Sequence, residues 1–424
     1  MTGRDQAAKV GVMNSVTPSA TTLALRVLLP FAGGYFLSYL YRTVNAVLAP
    51  HIAADIMLDA GALGLMTGMY LLAFGSVQLP LGILLDRYGP RRVEAALLLF
   101  AAAGSALFAI AEQPSALIMG RALVGLGVSA CLMAAIKANV QFYPPQKLAL
   151  VNGIILFAGG LGAVAATQPV QAALALTDWR GIFWILAGLS LAMAVILFVT
   201  VPDKGSGAGS GSLLAQMGDV AAILRNPDFL RVMPVTAIAL GSFMAIQGLW
   251  AGPWLRDVAG LDSNAVAQSL LAMAAGMAAG YLAWGAVSDF LGRRGIHILV
   301  VAAFGMVWYG LSMTAMALGW GGAPVFLSAN FGFAGASVSL CYVVVAQLVP
   351  STMSGRATTT LNLIIFAVAF AVQWGLGAII NLWPKIDGGW PPLAHQVALW
   401  VPVVLTVAAM MWLAPLVVRS WRNR

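Results

Sequence analysis

Gly82-Ile-Leu-Leu-Asp86-Arg87-Tyr-Gly89-Pro-Arg91-Arg92 carries the reading of this chain, because it is written twice. It returns as Gly285-Ala-Val-Ser-Asp289-Phe-Leu-Gly292-Arg293-Arg294, with both glycines and the aspartate displaced by the same 203 positions. Pro50 and Pro253 keep that offset. Each copy is a short basic turn between two long apolar stretches. Self-similarity on this scale marks a duplicated structural unit.

The setting says what kind of unit. Of 424 residues, 61% are hydrophobic and 8% charged, against about 45–50% and about 25% in soluble domains. Apolar surface in that amount has to face lipid. A helix crosses the hydrocarbon core with about 20 mostly apolar residues. Twelve such spans begin near Leu23, Ala60, Val93, Ser115, Leu148, Trp179, Leu230, Ala265, Ile296, Ala323, Ala357 and Leu393. The expected fold is an all-α integral membrane protein of twelve transmembrane helices in two pseudo-symmetric six-helix bundles. Its divisions are an N-terminal tail 1–22, a first bundle 23–201, a linker 202–229, a second bundle 230–419 and a tail 420–424.

The net charge of +8 comes from 22 Lys and Arg against 14 Asp and Glu. In a soluble protein it would suggest nucleic acid; here its distribution matters instead. Most of the basic residues fall in the two tails, in the linker and in the turns on the same side as the tails, among them Arg87, Arg91, Arg92, Arg293, Arg294 and Arg356. Arg180, Arg256 and Lys385 fall on the other side. The positive-inside rule then places both ends in the cytoplasm of an inner, plasma-type membrane. No cleavable leader is expected, since a full-length span follows the polar start. Cys131 and Cys341 sit in apolar stretches and read as small hydrophobes. Gly205 to Ser212 has flexible linker composition. Leu213 to Leu224 reads either as a short amphipathic helix at the membrane surface or as a loop.

The repeated Gly–Asp–Gly–Arg turn is similar to the signature between helices 2 and 3 of the major facilitator superfamily. Arg121-Ala-Leu-Val-Gly125-Leu-Gly127 resembles that superfamily's span-4 pattern. Tyr41-Arg42-Thr-Val-Asn45-Ala-Val-Leu-Ala-Pro50 and Trp179-Arg180-Gly-Ile-Phe183 look like its anion:cation symporters and organophosphate antiporters. Gly159-Gly160-Leu-Gly162 lacks the full glycine–proline motif of drug antiporters. The resemblance implies a secondary transporter working by alternating access. It makes Gly82, Asp86, Arg87, Gly89, Arg91, Arg92, Gly285, Asp289, Gly292, Arg293 and Arg294 gating residues. In physical terms, Asp86 can cap a helix or pair with a cation. The arginines anchor on the anionic leaflet. Gly82 and Gly89 should allow close helix approach and a tight turn. The chain departs from the symporters at two places where an acid is usual, Tyr41 before Arg42 and the apolar Val128 after Arg121.

Charge inside lipid costs about 2.5–3.5 kcal/mol on insertion scales and is generally functional. Every Asp and Glu is expected in a loop or at a span end, so the interior holds cations without a carboxylate to neutralise them. An anionic substrate is the natural partner. Arg42 precedes Pro50 by eight residues, which is roughly 12 Å of depth at 1.5 Å per residue. Its counterpart at the repeat offset is Ala245, so the symmetry breaks there. Arg121 either joins Arg42 on the anion or braces span 1 through backbone carbonyls. Lys137 either snorkels to the interface or meets the anion from inside. Tyr41, Tyr70, Gln247, Trp250, Asn330 and Asn362 complete the candidate substrate site, and Gly248 to Pro253 should let span 7 bend.

The expected substrate is a small organic anion, a carboxylate or sugar acid, with a co-transported proton left open. Alternatives are nitrate or nitrite, copper passed by Met273 and Met277 at helical spacing, and a non-transporting membrane sensor. No cofactor is implied. Membrane lipid is the expected partner of a monomer, nucleic acid is not, and no motif of an enzyme occurs.

Overall fold

The computed structural model describes residues 20–203, 213–350, 353–386 and 388–422. The polar start, the Gly205–Ser212 segment, Asp387 and the last two residues lie outside them. Among the described residues the chain is helical throughout, with one isolated bridge, Ile386 to Gly389.

Eleven helices are long and apolar enough to cross a membrane, and Ala60–Ser76 is a shorter apolar one. The twelfth crossing is recovered at the basic turn. Gln78–Ala109 is one run bent at Gly89, whose φ of 80° and ψ of 158° leave the helical region. The part before Gly89 continues Ala60–Ser76 as α2, and the part from Pro90 is α3. Helix α1 comprises Ala20–Leu23, a π-helical turn Ala24–Leu28, Leu29–Thr43 and Asn45–Asp55. Helix α4 is Pro114–Gly127 and Cys131–Phe142, α5 is Leu148–Ala165 and α6 is Trp179–Thr200. In the second half α7 is Pro227–Ala245, a π-helical turn Ile246–Trp250 and Ala251–Asp257. Then come α8 Ser263–Gly292, α9 Ile298–Ala317 and α10 Pro324–Ala336, continued by Ser337–Ser339 and Leu340–Gln347. The last two are α11 Ser354–Ile380 and α12 Pro392–Arg422. The linker segment Leu213–Leu224 is a helix.

Helix α1 packs on α5, α3 on α4 and α6, and α2 on α4. In the second half α8 packs on α10, α7 on α11 and α9 on α12. Large apolar side chains such as Phe157, Trp184, Leu282, Phe304 and Met411 point outward into what lipid would fill.

The halves meet along α2 with α11, α1 with α7 and α5 with α8. Small residues set these approaches. A Cβ at Gly64 would lie 2.8 Å from the Gln373 carbonyl, and one at Gly252 would collide with the Ala46 carbonyl. These contacts lie chiefly between the midplane and the end opposite the basic turns, so the bundle is closed at that end.

The turns correct two expectations. Gly89 does supply a left-handed turn, but a Cβ at Gly82 would meet nothing within 4 Å, so no close helix approach explains it. In the second copy Gly292 is still helical, and Gly295 with φ of 83° makes the turn instead. Pro90 forces the chain to turn early in the first copy, since it cannot continue a helix through its own missing N–H. No proline follows Gly292, so α8 stays helical through it and the positive-φ residue comes three positions later, at Gly295.

Candidate functional site

Helix α1 carries Tyr35, Tyr39 and Arg42 at near-helical spacing on the side facing the second half. The Arg42 guanidinium carbon lies 4.7 Å from the Tyr39 ring centroid, 5.2 Å from Phe74 and 5.6 Å from Phe366. Phe74 of α2 and Phe366 of α11 stack at 4.4 Å, so one ring comes from each half. Such faces hold a cation by their quadrupoles. Arg42 is 8% exposed, and its Nε has no partner. The break in α1 at Val44 follows directly, and the Arg42 carbonyl faces Gly248 of α7.

Arg121 is fully buried nearby on α4. Its Nη1 donates to the Tyr41 carbonyl at 3.1 Å, the bracing geometry, while Nε and Nη2 lack partners. Tyr70 of α2 stands between the two arginines. Its ring centroid is 5.1 Å from the Arg121 guanidinium carbon, and its hydroxyl, which donates to the Ser38 carbonyl at 3.1 Å, lies against Arg42. Among the described residues no carboxylate pairs with Arg42 or Arg121. The second half answers with neutral groups. Tyr281 of α8 is within reach of Tyr39, and Tyr342 of α10 donates to Asn362 Oδ1 of α11 at 2.5 Å. Trp250 donates to the Gln373 carbonyl at 2.9 Å and Gln247 to the Met277 sulfur at 3.3 Å, both packed in the second half. The result is one guanidinium of the first half, Arg42, beside Phe366, Tyr281 and Tyr342 of the second, with Arg121 enclosed behind Tyr70.

Several candidates lie elsewhere. Tyr41 points into the first bundle, its hydroxyl 2.9 Å from Ser190 Oγ of α6. Asn330 binds Ser312 Oγ at 2.6 Å and accepts from Trp308, inside the second bundle. Lys137 pairs with the exposed Asp86 of the basic turn, at the span end where the snorkelling alternative put it. Arg91 donates to the Val201 carbonyl at 3.1 Å and Arg92 pairs with Asp203, tying the first turn to the end of α6. Met273 and Met277 are buried, with the Met273 carbonyl under Gly332.

One expectation is overturned. Glu94 is not at a span end but inside α3, fully buried, and both its oxygens lack a hydrogen-bond partner. Its place four residues after Pro90 disguised it, because it sits only one turn into the helix. Sequence reading also missed Phe74, Phe366 and Tyr281, which look like ordinary apolar-helix residues.

At the end opposite the basic turns the α11–α12 connection folds over the bundle. Lys385 Nζ donates to the Leu58 carbonyl of the first half at 2.7 Å. Asp257 accepts from the Trp390 N–H at 3.1 Å, from Arg256, and contacts His395 Nε2 at 2.9 Å. A cleft of about 250 Å³ lies beneath, lined by Pro50, Ala53, Pro253, Arg256, Lys385 and Trp390.

Residues 31–373 match the sequence model of the Major Facilitator Superfamily, and the chain belongs to that family. It is thus a multi-pass membrane protein with the family's twelve-helix fold. A probable sulfoacetate transporter, SauU, of Cupriavidus necator is 24% identical over 274 residues, covering 61% of this chain and 64% of the relative. A probable L-galactonate transporter of Escherichia coli K12 is 28% identical over 160 residues, covering 38% of this chain and 35% of the relative. The chain therefore spans less than two thirds of the length of these relatives. Among solved structures, a bacterial homologue of the human lysosomal transporter Spinster, inward-facing and unoccupied, superposes with a TM-score of 0.76 at 19% identity. That match covers 96% of this chain and 99% of the other.

Proposed function

We propose that the chain is a secondary active transporter that moves a small organic anion, a carboxylate or sugar acid, across an inner membrane by alternating access. Both chain ends lie in the cytoplasm on this reading. The observation that carries the proposal is the unneutralised Arg42, held in an aromatic cage where the halves meet and backed by Arg121. A guanidinium offers a planar pair of donors that fits a carboxylate or sulfonate. The facing hydroxyls of Tyr39, Tyr281 and Tyr342 can select among anions by donating to further oxygens. The relatives named for sulfoacetate and L-galactonate are named for organic anions, which supports this reading.

Uptake into proteoliposomes tests it, with sulfoacetate and galactonate as labelled probes. Wild-type protein should take up at least one of them. Arg42→Ala should abolish that uptake, and Arg42→Lys should retain a minor part, because an ammonium keeps the charge and loses the paired donors. Undiminished uptake by Arg42→Ala would overturn the site.

A further inference from the structure

Glu94 is a fully buried acid that the proposed site does not use, and its surroundings are unusual. It lies in the core of the first bundle between α3, α1 and α4. A Cβ at Gly34 of α1 would collide with Glu94 Oε1 and come within 3.8 Å of the Cys131 sulfur of α4. The carboxyl therefore fits only because position 34 has no side chain. Neither oxygen has a hydrogen-bond partner, and the carboxyl is fully buried. A buried, unpartnered charge is among the most expensive arrangements a protein can hold, so in this conformation the carboxyl is carried as the neutral acid.

The groups around it are few. On α4 it meets the Cys131 thiol. Gly34 of α1 offers no ionisable group, and Tyr41 on the same face is two turns away with its hydroxyl on Ser190. Helix α6 has no ionisable residue after Arg180, which pairs with Asp55 near the far end. Arg91 on Glu94's own helix is engaged by the Val201 carbonyl, and Lys137 of α4 by Asp86. Among the described residues no cation pairs with Glu94, and Arg42 of α1 acts electrostatically on the Cys131 thiol beside it.

Two features tie this carboxyl to the anion site. Helix α4 is interrupted between Gly127 and Cys131, immediately before the residue that touches Glu94. The Val128 carbonyl at that interruption accepts from Ser38 Oγ at 3.4 Å, and Ser38, one turn beyond Gly34, has its own carbonyl bound by Tyr70. Tyr70 in turn lies between Arg42 and Arg121. Gly34 and Arg42 are separated by eight residues, or about 12 Å along α1.

We propose that Glu94 binds and releases a proton in each transport cycle, and that the interrupted segment of α4 is the element its charge moves. This rests on the anion-transport reading above. On release the O–H bond breaks, the electron pair stays on the carboxylate and the proton passes to water. The ionised carboxylate cannot remain in the apolar niche behind Gly34, so α4 must shift to admit water or a donor. That shift acts on Arg121, which is on the same helix.

Infrared difference spectra of the purified wild-type protein in lipid, taken between acid and alkaline pH with no anion added, test the titration directly. A protonated-carboxyl band should titrate in wild type, vanish in Glu94→Gln and shift in Glu94→Asp. Gln has the shape of the neutral acid, so the variant should fold, which thermal unfolding checks. In proteoliposomes given labelled sulfoacetate or galactonate, Glu94→Gln should keep exchange of internal for external anion and lose accumulation driven by a pH gradient. Accumulation equal to wild type, or no titrating band assignable to Glu94, overturns the proposal. If wild type carries neither anion, the substrate reading fails, and the infrared result alone decides for or against Glu94.

Discussion

Arg42 and Arg121 are both buried cations on neighbouring helices, yet their surroundings assign them different work. Arg121 is wholly enclosed and holds the α1 backbone at Tyr41. Arg42 touches aromatic faces from both halves and bonds to no carboxylate. Arg121→Ala should therefore destabilise the fold by about 2–5 kcal/mol, as truncating a fully buried large side chain does. Arg42→Ala should leave the unfolding temperature close to wild type while removing anion-dependent stabilisation. Thermal unfolding of both variants with and without added sulfoacetate checks this, and the reverse order of stabilities would contradict it. That Arg42 is a buried cation without a carboxylate partner among the described residues was legible in the sequence from its place in an apolar span short of acids. Which way Tyr41 and Asn330 point was not. Lipid and a packed helix interior are both apolar, so the residues around a membrane helix do not announce its faces as they do in water.

At the scale of elements, the two basic turns look alike in letters and differ in conformation. Gly89 occupies a region of φ and ψ open to glycine almost alone, and other residues there cost on the order of 1–3 kcal/mol. Gly89→Ala should lower stability by that amount. Gly292→Ala and Gly82→Ala should be neutral or raise it by up to about 1 kcal/mol, because both are helical positions with open space around the missing Cβ. Equal losses at all three positions, measured by chemical denaturation in detergent, would refute this account of the turns. The helix count was readable from length and composition, whereas Leu213–Leu224, a helix in the structure, was open between helix and loop. Where a bend was expected at Gly248 to Pro253, α7 has a π-helical turn Ile246–Trp250 and continues as a helix through Pro253. Glu94 was misread because charge near a turn normally belongs to the surface. Only the neighbouring absence of a side chain at Gly34, a feature of another helix, lets it be buried.

For the whole molecule, the closed end is held by close backbone approach and by the strap carrying Lys385. Gly252 admits no side chain against the Ala46 carbonyl. Gly252→Leu should wedge α1 from α7 and shift the population toward the state open at that end. The readout is a cysteine placed at Ala53, which lines the cleft and is 7% exposed. It should react slowly with a membrane-impermeant thiol reagent in the parent and faster with Gly252→Leu. Both native cysteines are fully buried, so the background is low. Unchanged reactivity would mean that this contact does not govern closure.

The two halves have inherited the same plan and kept unequal shares of it. Arg42, Arg121 and Glu94 all belong to the first half, while the second brings Tyr281, Tyr342, Asn362 and Phe366 to the region of Arg42. Such a partition separates what evolution must preserve from what it is free to vary. Changes in α8, α10 and α11 can alter the neutral groups beside Arg42 without touching the cations or the buried acid. On the proposed reading, a lineage built on this plan acquires new cargoes by drift in one half alone, and exchanging second halves between its members should transfer preference from one cargo to another.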